Sequence, residues 1–543
     1  MSNGAGGSAG GPGERGFDPL KIEVFQHLFS ALAEEMGVAL QRSAFSANIK
    51  ERLDFSCALF DAEGTLVAQA AHLPVHLGAT PLSVADVLAR IDLGPGDVAF
   101  HNDPFAGGTH LPDVTAVAPV FDPGDAGGGA RPRFYVVSRA HHADVGGAFP
   151  GSMAPARDVH GEGLRLPPVR IVRGGEVEPE LLSLFLANVR VPDERRADLL
   201  AQVAAARVGE ARLHALLEEW GADELAARAG DLVRWTARAA ERVRVRVPEG
   251  SWSFTDALEG GPDGQGALLD VTLDLEKRHD TLVFDFSRSA DQAVDGSPVN
   301  TTRAVTVSAV TYGLRLLADA GTPTNAGLLD GVRIVTRPGT VVDAAYPAPV
   351  AAGNVEASQR LVDVVLGALG AALPGALPAA SAGSMTNLSF GGTRSDGTAF
   401  THYETHGGGA GGGPTRAGAH ALQTHMTNTR NTPIEALENA FPVRVERQTV
   451  RRGSGGAGAR PGGDGLVRRL RFLTPVRVAF MAERHRLGPW GAQGGESGAR
   501  GEASLRVADA AEDRAAAGKL TVDLGAGSSF ELRTPGGGGH GAP

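Results

Sequence analysis

The sequence predicts an α+β protein of several domains, built on mixed β-sheets. Three observations lead to this fold class. The chain has 543 residues, which at about 150 residues per domain corresponds to roughly three to four domains. Short apolar runs bounded by turn residues fill most of the sequence, whereas residues 180–247 change to the spacing of amphipathic helices. The last third is glycine-rich, and we expect it to be mostly β with tight turns.

The N-terminal domain is predicted to cover residues 17–250, after a flexible tail over residues 1–16. This tail lacks the basic start and apolar run of a secretory signal. Asp18 and Pro19 form a helix-start signal, because the carboxylate caps free N–H groups and proline fits the first helical position. Apolar residues then recur on one helical face, at Ile22, Phe25, Leu28, Phe29, Leu32 and Met36.

Strands and loops are predicted to follow this helix. A hairpin begins at Phe55, where two short apolar runs flank a turn. Residues 114–121 and 134–140 have the composition of strands, and an exposed loop rich in glycine and proline joins them. The segment 180–247 is rich in Ala, Leu, Glu and Arg and predicts two or three helices.

Two further domains complete the predicted organisation. The middle α/β domain covers residues 251–380, with a pair of strands within 266–287 and a helix near 303–318. The glycine-rich β domain covers residues 381–543. Its clearest strand candidates are residues 467–484 and 520–527.

Composition excludes several classes of function. The chain has 51 basic and 62 acidic side chains, a net charge of −11, which excludes a basic-patch nucleic-acid binder. No apolar stretch approaches the ~20 residues of a membrane span. A single cysteine, Cys57, allows no intrachain disulfide and favours a cytoplasmic location. None of the few lysines lies in a Walker-type phosphate loop, so any nucleotide chemistry is assigned to another chain.

Polar residues concentrate in HNDPFAGGTHLPD (101–113) and AHHADVGG (140–147). Pro112 disfavours a helix, so His110 and Asp113 are expected on a turn where their side chains can converge. His141 follows directly after a predicted strand. Two imidazoles and one carboxylate suit Zn, Mn or Fe(II) and leave coordination positions open.

A purely structural interpretation competes with the metal site. His110 could cap a loop, Asp113 could accept hydrogen bonds from turn N–H groups, and His141 and His142 could lie in the core or at the surface. From the residue types alone, both interpretations stay open. His72 and His76 form a second candidate pair. Pro74 between them favours a bend over the helical face of a metalloprotease, and the glutamate of the H-E-x-x-H motif is absent.

Other polar segments carry weaker signals. The glycine clusters at residues 407–413 and 451–465 could form anion-binding nests, but tight turns are the favoured explanation. Cys57 is expected to be a buried small hydrophobe. One further set of polar residues has two interpretations. It could line the same pocket as the candidate metal site from another domain, or it could belong to a solvated loop, which is the favoured alternative. The set consists of His402, Tyr403, Glu404, His406, His425, Asn428 and Arg430.

Several long motifs resemble the hydantoinase B/oxoprolinase family. They include NDPFAGGTHLPDV, SRAHHADVGG, EGLRLPP, AGNVEASQR, THMTNTRNTPIEALE and the closing TPGGGGHG, and they run in order from about residue 17 to the C-terminus. Members are subunits or fused halves of ATP-dependent enzymes that act on cyclic amides, 5-oxoprolinases and N-methylhydantoinases. Related subunits occur in acetone and acetophenone carboxylases.

The resemblance implies a set of metal ligands and a partner. In the carboxylase branch a His-x-x-Asp pair and a later histidine hold a divalent metal, and the matching positions here are His110, Asp113 and His141. ATP is implied to be used by a partner of the hydantoinase A/oxoprolinase type with an actin-like fold, in a hetero-oligomer. Two residues depart from the family pattern: His160 stands where an aromatic residue is usual, and His406 where an aliphatic one is.

The expected function is therefore that of a hydantoinase B-type component in an ATP-dependent cyclic amide hydrolase. A lactam resists water because its C–N bond has partial double-bond character, and phosphorylation of the carbonyl oxygen on the partner would remove that resonance. The metal would then activate water for ring opening, with His142 or Asp144 as general base or as a group that orients a ligand. The alternatives are a component of a ketone carboxylase and a non-catalytic scaffold for the ATP-using partner.

Overall fold

The computed structural model describes residues 18–70, 72–124 and 131–543. The predicted tail over residues 1–16 lies outside these ranges, as does the centre of the predicted loop after residue 121. The α+β class is confirmed, because helices and several separate sheets alternate along the chain. Within the described ranges, every helix is too short or too polar to cross a bilayer.

A seven-stranded antiparallel sheet forms the N-terminal part. Its spatial order is β2-β1-β5-β4-β3-β6-β7 when the strands are numbered along the chain. The predicted hairpin at Phe55 is confirmed, and the strands predicted at 114–121 and 134–140 lie side by side. The strands are β1 (Phe55–Asp61), β2 (Leu66–Gln69), β3 (Val98–His101), β4 (Asp113–Val120), β5 (Phe134–His141), β6 (Val169–Arg173) and β7 (Glu176–Val177).

Helices cover both faces of this sheet. They are α1 (Pro19–Ser43), α2 (Ala47–Lys50), α3 (Ala79–Arg90), α4 (Pro179–Leu186), α5 (Pro192–Trp220) and α6 (Ala222–Arg246). The predicted cap is confirmed, since the Asp18 carboxylate accepts from the backbone N–H groups of Leu20 and Lys21. α1 and α5 share one core with the sheet, and α3 shares another on the opposite face. Successive side chains of β4 and β5 therefore point alternately towards α5 and α3.

The middle part contains a four-stranded sheet with helices packed on it. Its strands are β8 (Gly250–Glu259), β9 (Leu268–Arg278), β10 (Thr281–Asp285) and β11 (Val332–Val335), in the order β11-β10-β9-β8. β9 and β10 form the predicted antiparallel pair. The helices are α7 (Arg303–Leu317), which matches the predicted helix, and α8 (Ser358–Ala372). A π-helical turn, Gly353–Ala357, leads directly into α8.

The C-terminal part is β-rich, as predicted. Two antiparallel sheets, in the orders β13-β12-β16-β19 and β14-β15-β20-β17-β18, share one apolar core. Their strands are β12 (Asn387–Thr393), β13 (Ala399–Thr405), β14 (Val443–Arg451), β15 (Gly465–Phe472), β16 (Val476–Met481), β17 (Glu502–Arg506), β18 (Arg514–Ala516), β19 (Lys519–Leu524) and β20 (Ser529–Arg533). One short helix, α9 (Ile434–Ala440), precedes β14.

The glycine clusters are explained by close backbone packing more than by turns. A Cβ atom on Gly537 would lie 2.0 Å from the carbonyl oxygen of Ala410, and one on Gly409 would lie 1.9 Å from that of Gly463. These segments are hydrogen-bonded to one another, for example from Gly537 N to Gly463 O at 2.9 Å. Only glycine permits such an approach. The expectation that tight turns explain most of the glycine is therefore wrong for these packed segments, which are called the glycine bundle below.

The three parts of the chain meet around one buried region. The core under the middle sheet includes Val75 from the N-terminal part and Tyr403 and Met426 from the C-terminal part. The predicted domain boundaries near residues 250 and 380 stay a prediction. The candidate site lies in this shared region.

Candidate metal centre

The predicted ligands converge where β4 begins and β5 ends. Asp113 is the first residue of β4 and lies directly opposite His141, the last residue of β5. His110 precedes Asp113 in a turn in which the Asp113 N–H donates to the His110 carbonyl. One nitrogen or oxygen from each of the three residues lies within 4.8 Å of the others. All three side chains are at most 2% exposed.

The two carboxylate oxygens of Asp113 have different surroundings. Oδ2 accepts from the Thr109 hydroxyl, from Asn354 Nδ2 at 3.2 Å and from His76 Nε2 at 3.3 Å. Oδ1 has no hydrogen-bond donor among the described residues, although it lies 3.1 Å from His110 Nε2. A buried acceptor without a donor is costly, so this oxygen fits a metal ion.

The surroundings of Asp113 and His141 favour the protonation states that can bind a metal ion. Burial alone would raise the pKa of Asp113, but His110, His141 and His76 hold that pKa well below its usual value, so the carboxylate is ionised. Burial lowers the pKa of His141, and neutral imidazole is the form that binds metals.

The imidazole rings are held by second contacts. His110 Nδ1 donates to the carbonyl of Ala351 at 3.2 Å, and Asn354 Nδ2 donates to His110 Nε2 at 3.0 Å. His110 Nε2 therefore carries a lone pair. The ring of His141 stacks on Tyr403, with centroids 4.6 Å apart and planes 13° from parallel, and His141 Nε2 has no hydrogen-bond partner among the described residues.

Several residues that contact this centre, Thr109 among them, were not assigned to it from the sequence. His76 belonged to a separate candidate pair, and its Nδ1 is held by Ser56 Oγ at 2.8 Å. Asn354 comes from the π-helical turn before α8, 241 positions from Asp113. Tyr403 belongs to the set for which the same pocket was one alternative. His72 stays outside the centre, where its Nδ1 accepts from the Cys57 N–H at 3.1 Å.

The structure does not bring His142 and Asp144 to the three ligands. His142 points to the opposite face of the sheet, where its Nε2 contacts Gln202 Oε1 at 2.9 Å, and burial lowers its pKa to about 4. The Asp144 carboxylate pairs with Arg190 at 2.8 Å and accepts from the Gly146 N–H. The role of general base for His142 or Asp144 stays a prediction.

The remaining candidates lie elsewhere. His402, Glu404 and His406 share one face of β13 and its end, opposite to Tyr403, and Glu404 pairs with Arg468 at 2.9 Å. They are buried, so the favoured expectation of a solvated loop is wrong for them. The other candidates are dispersed. His425 contacts the Tyr312 hydroxyl, Asn428 donates to the His72 carbonyl, and Arg430 is exposed.

Two single residues complete the comparison with the sequence. His160 contacts the Tyr346 hydroxyl, and Cys57 is buried as predicted.

Fold and site together define a multidomain α+β protein with a buried centre of two histidines and one carboxylate. The model of the Hydantoinase B/oxoprolinase family matches residues 18–543, and the chain belongs to this family.

Two of the similar proteins differ in how much of their own length this chain covers. The chain is 39% identical to 5-oxoprolinase 1 of Arabidopsis thaliana over 97% of its own length but only 42% of that protein. It is 29% identical to a D-/L-hydantoinase subunit of a Pseudomonas species, and there it covers 90% of the relative.

Two solved structures resemble the whole chain. The ATP-dependent caprolactamase of Pseudomonas jessenii superposes with a TM-score of 0.88 at 27% identity, covering 97% of this chain and 91% of that one. Nucleotide-free acetone carboxylase gives 0.85 at 16% identity, covering 96% and 76%. The second likeness concerns the fold alone.

Proposed function

We propose that this chain is the ring-opening subunit of an ATP-dependent enzyme that hydrolyses a cyclic amide. One observation carries the proposal for this member of the family. The ionised Asp113 directs its Oδ1 towards the buried His110 and His141, and this oxygen has no hydrogen-bond donor among the described residues. Relatives named as 5-oxoprolinase, hydantoinase subunit and caprolactamase all act on cyclic amides by their names, which supports this substrate class.

His110, Asp113 and His141 would hold a divalent Mn, Zn or Fe ion. When bound, such an ion lowers the pKa of coordinated water towards neutrality and polarises a carbonyl group. The protein supplies orientation. Thr109, His76 and Asn354 occupy Oδ2 of Asp113 and so leave Oδ1 as its ligating oxygen.

Activation of the amide is assigned to a partner. An amide has a poor leaving group and resonance that opposes attack, and phosphorylation of its oxygen removes that resonance. The chain carries no Walker-type loop. It also spans less than half of the Arabidopsis relative and nearly all of the Pseudomonas hydantoinase subunit, which supports an ATP-binding partner of the hydantoinase A/oxoprolinase type in a hetero-oligomer. The single cysteine supports a cytoplasmic location.

The test uses the assembled pair of proteins. The substrates are ATP with 5-oxoproline, with hydantoin, or with acetone and bicarbonate. His110→Ala is expected to abolish ring opening while ATP-dependent phosphorylation on the partner continues. His27→Ala, at an exposed histidine of α1, is the matched control and should leave both activities unchanged. Equal retention of both activities in His110→Ala would contradict the proposal. Turnover of acetone alone would indicate a carboxylase, and ring opening retained in His110→Ala would indicate a scaffold.

A further inference from the structure

Glu162 is a buried carboxyl group that contacts the backbone next to the candidate metal centre. It follows the short helical turn Val159–Gly161 and is 3% exposed. Its Oε1 accepts from the consecutive backbone N–H groups of Val350 at 2.8 Å and Ala351 at 2.9 Å. Its Oε2 has no hydrogen-bond partner among the described residues.

The peptide that Glu162 holds continues into the metal centre. The carbonyl of Ala351 accepts the hydrogen bond from His110 Nδ1. Three residues further along, Asn354 reaches both His110 Nε2 and Asp113 Oδ2. The Ala351 carbonyl therefore holds the nitrogen of His110 that faces away from Asp113, and Glu162 anchors the start of the segment 350–354.

A second hydrogen bond strengthens this anchor. The N–H of Val159 donates to the Pro347 carbonyl at 3.0 Å, so the turn before Glu162 also contacts the chain three residues before Val350. The close packing of this turn is shown by Gly147, where a Cβ atom would lie 2.6 Å from the Glu162 backbone. The turn that carries Glu162 is therefore closely packed against its surroundings.

We propose that Glu162 is a positioning residue for the metal ligand His110 and acts through the backbone of Ala351. The inference rests on the proposed function in one respect, that His110 binds a metal. Partners of the non-ligating nitrogen of a metal-bound histidine typically contribute 10–100-fold to metal affinity, because they fix the ring and its tautomer. Glu162 holds the N–H of Ala351, the residue whose carbonyl is that partner, and so anchors the peptide group that directly precedes this carbonyl.

The charge of Glu162 indicates how it does so. Burial raises the pKa of Glu162 to about 8, so at pH 7 the protonated form dominates and Oε1 serves as a neutral acceptor. Glutamine offers the same neutral oxygen at the same reach. Alanine removes it and leaves two buried N–H groups without a partner.

The experiment titrates the purified full chain with Mn²⁺, followed by electron paramagnetic resonance, and records Tm for each variant. Glu162→Ala is expected to weaken Mn²⁺ binding about 10–100-fold and to alter the bound spectrum. Glu162→Gln should bind as wild type. The matched control is Glu259→Ala, because buried Glu259 also accepts from two consecutive backbone N–H groups, those of Arg486 and Leu487. It should lower Tm and leave Mn²⁺ binding unchanged.

The outcomes separate this inference from the proposed function. Wild-type affinity in Glu162→Ala together with a lower Tm would overturn the inference and leave a structural role. Equal loss of affinity in Glu162→Gln and Glu162→Ala would also overturn it. If Glu162→Ala does not fold, Glu162→Asp, whose shorter side chain cannot reach both N–H groups, replaces it with the same expected loss. Absence of Mn²⁺ binding in the wild type, by contrast, would remove the proposed metal function and the inference together.

Discussion

Asp113 and His141 lie directly opposite each other in the β4–β5 ladder, with Asp113 Oδ1 3.4 Å from His141 Nδ1. Their approach is a consequence of strand register, because side chains of directly paired residues stand on the same face of an antiparallel sheet. His110 joins them through the turn before β4. The centre is therefore built on two paired strands in the interior of the seven-stranded sheet, and sites on strands are positioned more precisely than sites on loops.

Tyr403 is expected to support the centre in two separable ways. Its ring stacks on His141, and its hydroxyl donates to Asn387 Oδ1 at 2.7 Å. Tyr403→Phe keeps the ring and leaves a buried acceptor unsatisfied, so it should lower the free energy of unfolding by about 1–3 kcal/mol and keep the metal. Tyr403→Leu should lower metal affinity as well. Urea unfolding and metal titration of both variants test this, and equal metal affinity in the two would contradict it.

His142 is expected to contribute to stability and not to metal binding. It faces α5 and contacts Gln202, on the other side of the sheet from His141. His142→Ala should lower the free energy of unfolding by about 2–4 kcal/mol, as for other large-to-small changes in a core, while metal content stays at the wild-type level. Loss of metal would show that the two faces of β5 are not separated in this way. Loss of turnover in a folded, metal-loaded variant would support the general-base role predicted for His142.

His406 is expected to limit stability in acid. Burial lowers the pKa of His406 to about 3, whereas in the unfolded chain it titrates near its ordinary value of 6.5. Between these two pH values the unfolded state therefore binds a proton at His406 that the folded state does not bind. The free energy of unfolding decreases as the pH falls below 6.5. Relative to His406→Leu, the wild type should lose up to about 1.4 kcal/mol per pH unit between pH 6 and 4. Urea unfolding across that range measures the difference, and parallel curves would contradict the account.

Gly537 is expected to be intolerant of any side chain. A Cβ atom there would lie 2.0 Å from the Ala410 carbonyl oxygen, in the middle of the glycine bundle. Gly537→Ala should therefore destabilise the fold by about 1–3 kcal/mol or more. Gly525→Ala is the control, because its Cβ would meet nothing within 4 Å. Similar melting temperatures for the two variants would show that the bundle is loosely packed.

The sequence predicted those parts of the site that have local signals. Pro112 marks the turn that joins His110 to Asp113, and the apolar run before His141 marks the end of a strand. Local patterns also identified the hairpin at Phe55, because alternation and turn residues define it. The same alternation separates His141 from His142, so treating AHHAD as one cluster missed a signal that was present.

Long-range packing explains what the sequence could not predict. Asn354 is 241 positions from Asp113, and His76 is 37 positions from it. Neither has a local pattern that links it to the site, since only the docking of the middle part onto the N-terminal sheet brings Asn354 there. The glycine clusters are similar: their composition is visible, but close packing of distant segments is a tertiary property.

The central claim is that His110, Asp113 and His141 bind one divalent metal ion. Elemental analysis of the purified chain, after removal of loosely bound ions, tests it most directly, with wild type, Asp113→Ala and the exposed-site control His27→Ala compared. The account predicts about one Mn, Zn or Fe ion per chain in the wild type and the control, and none in folded Asp113→Ala. A folded wild-type chain that holds no metal after exposure to these ions, or equal metal content in Asp113→Ala, would contradict it.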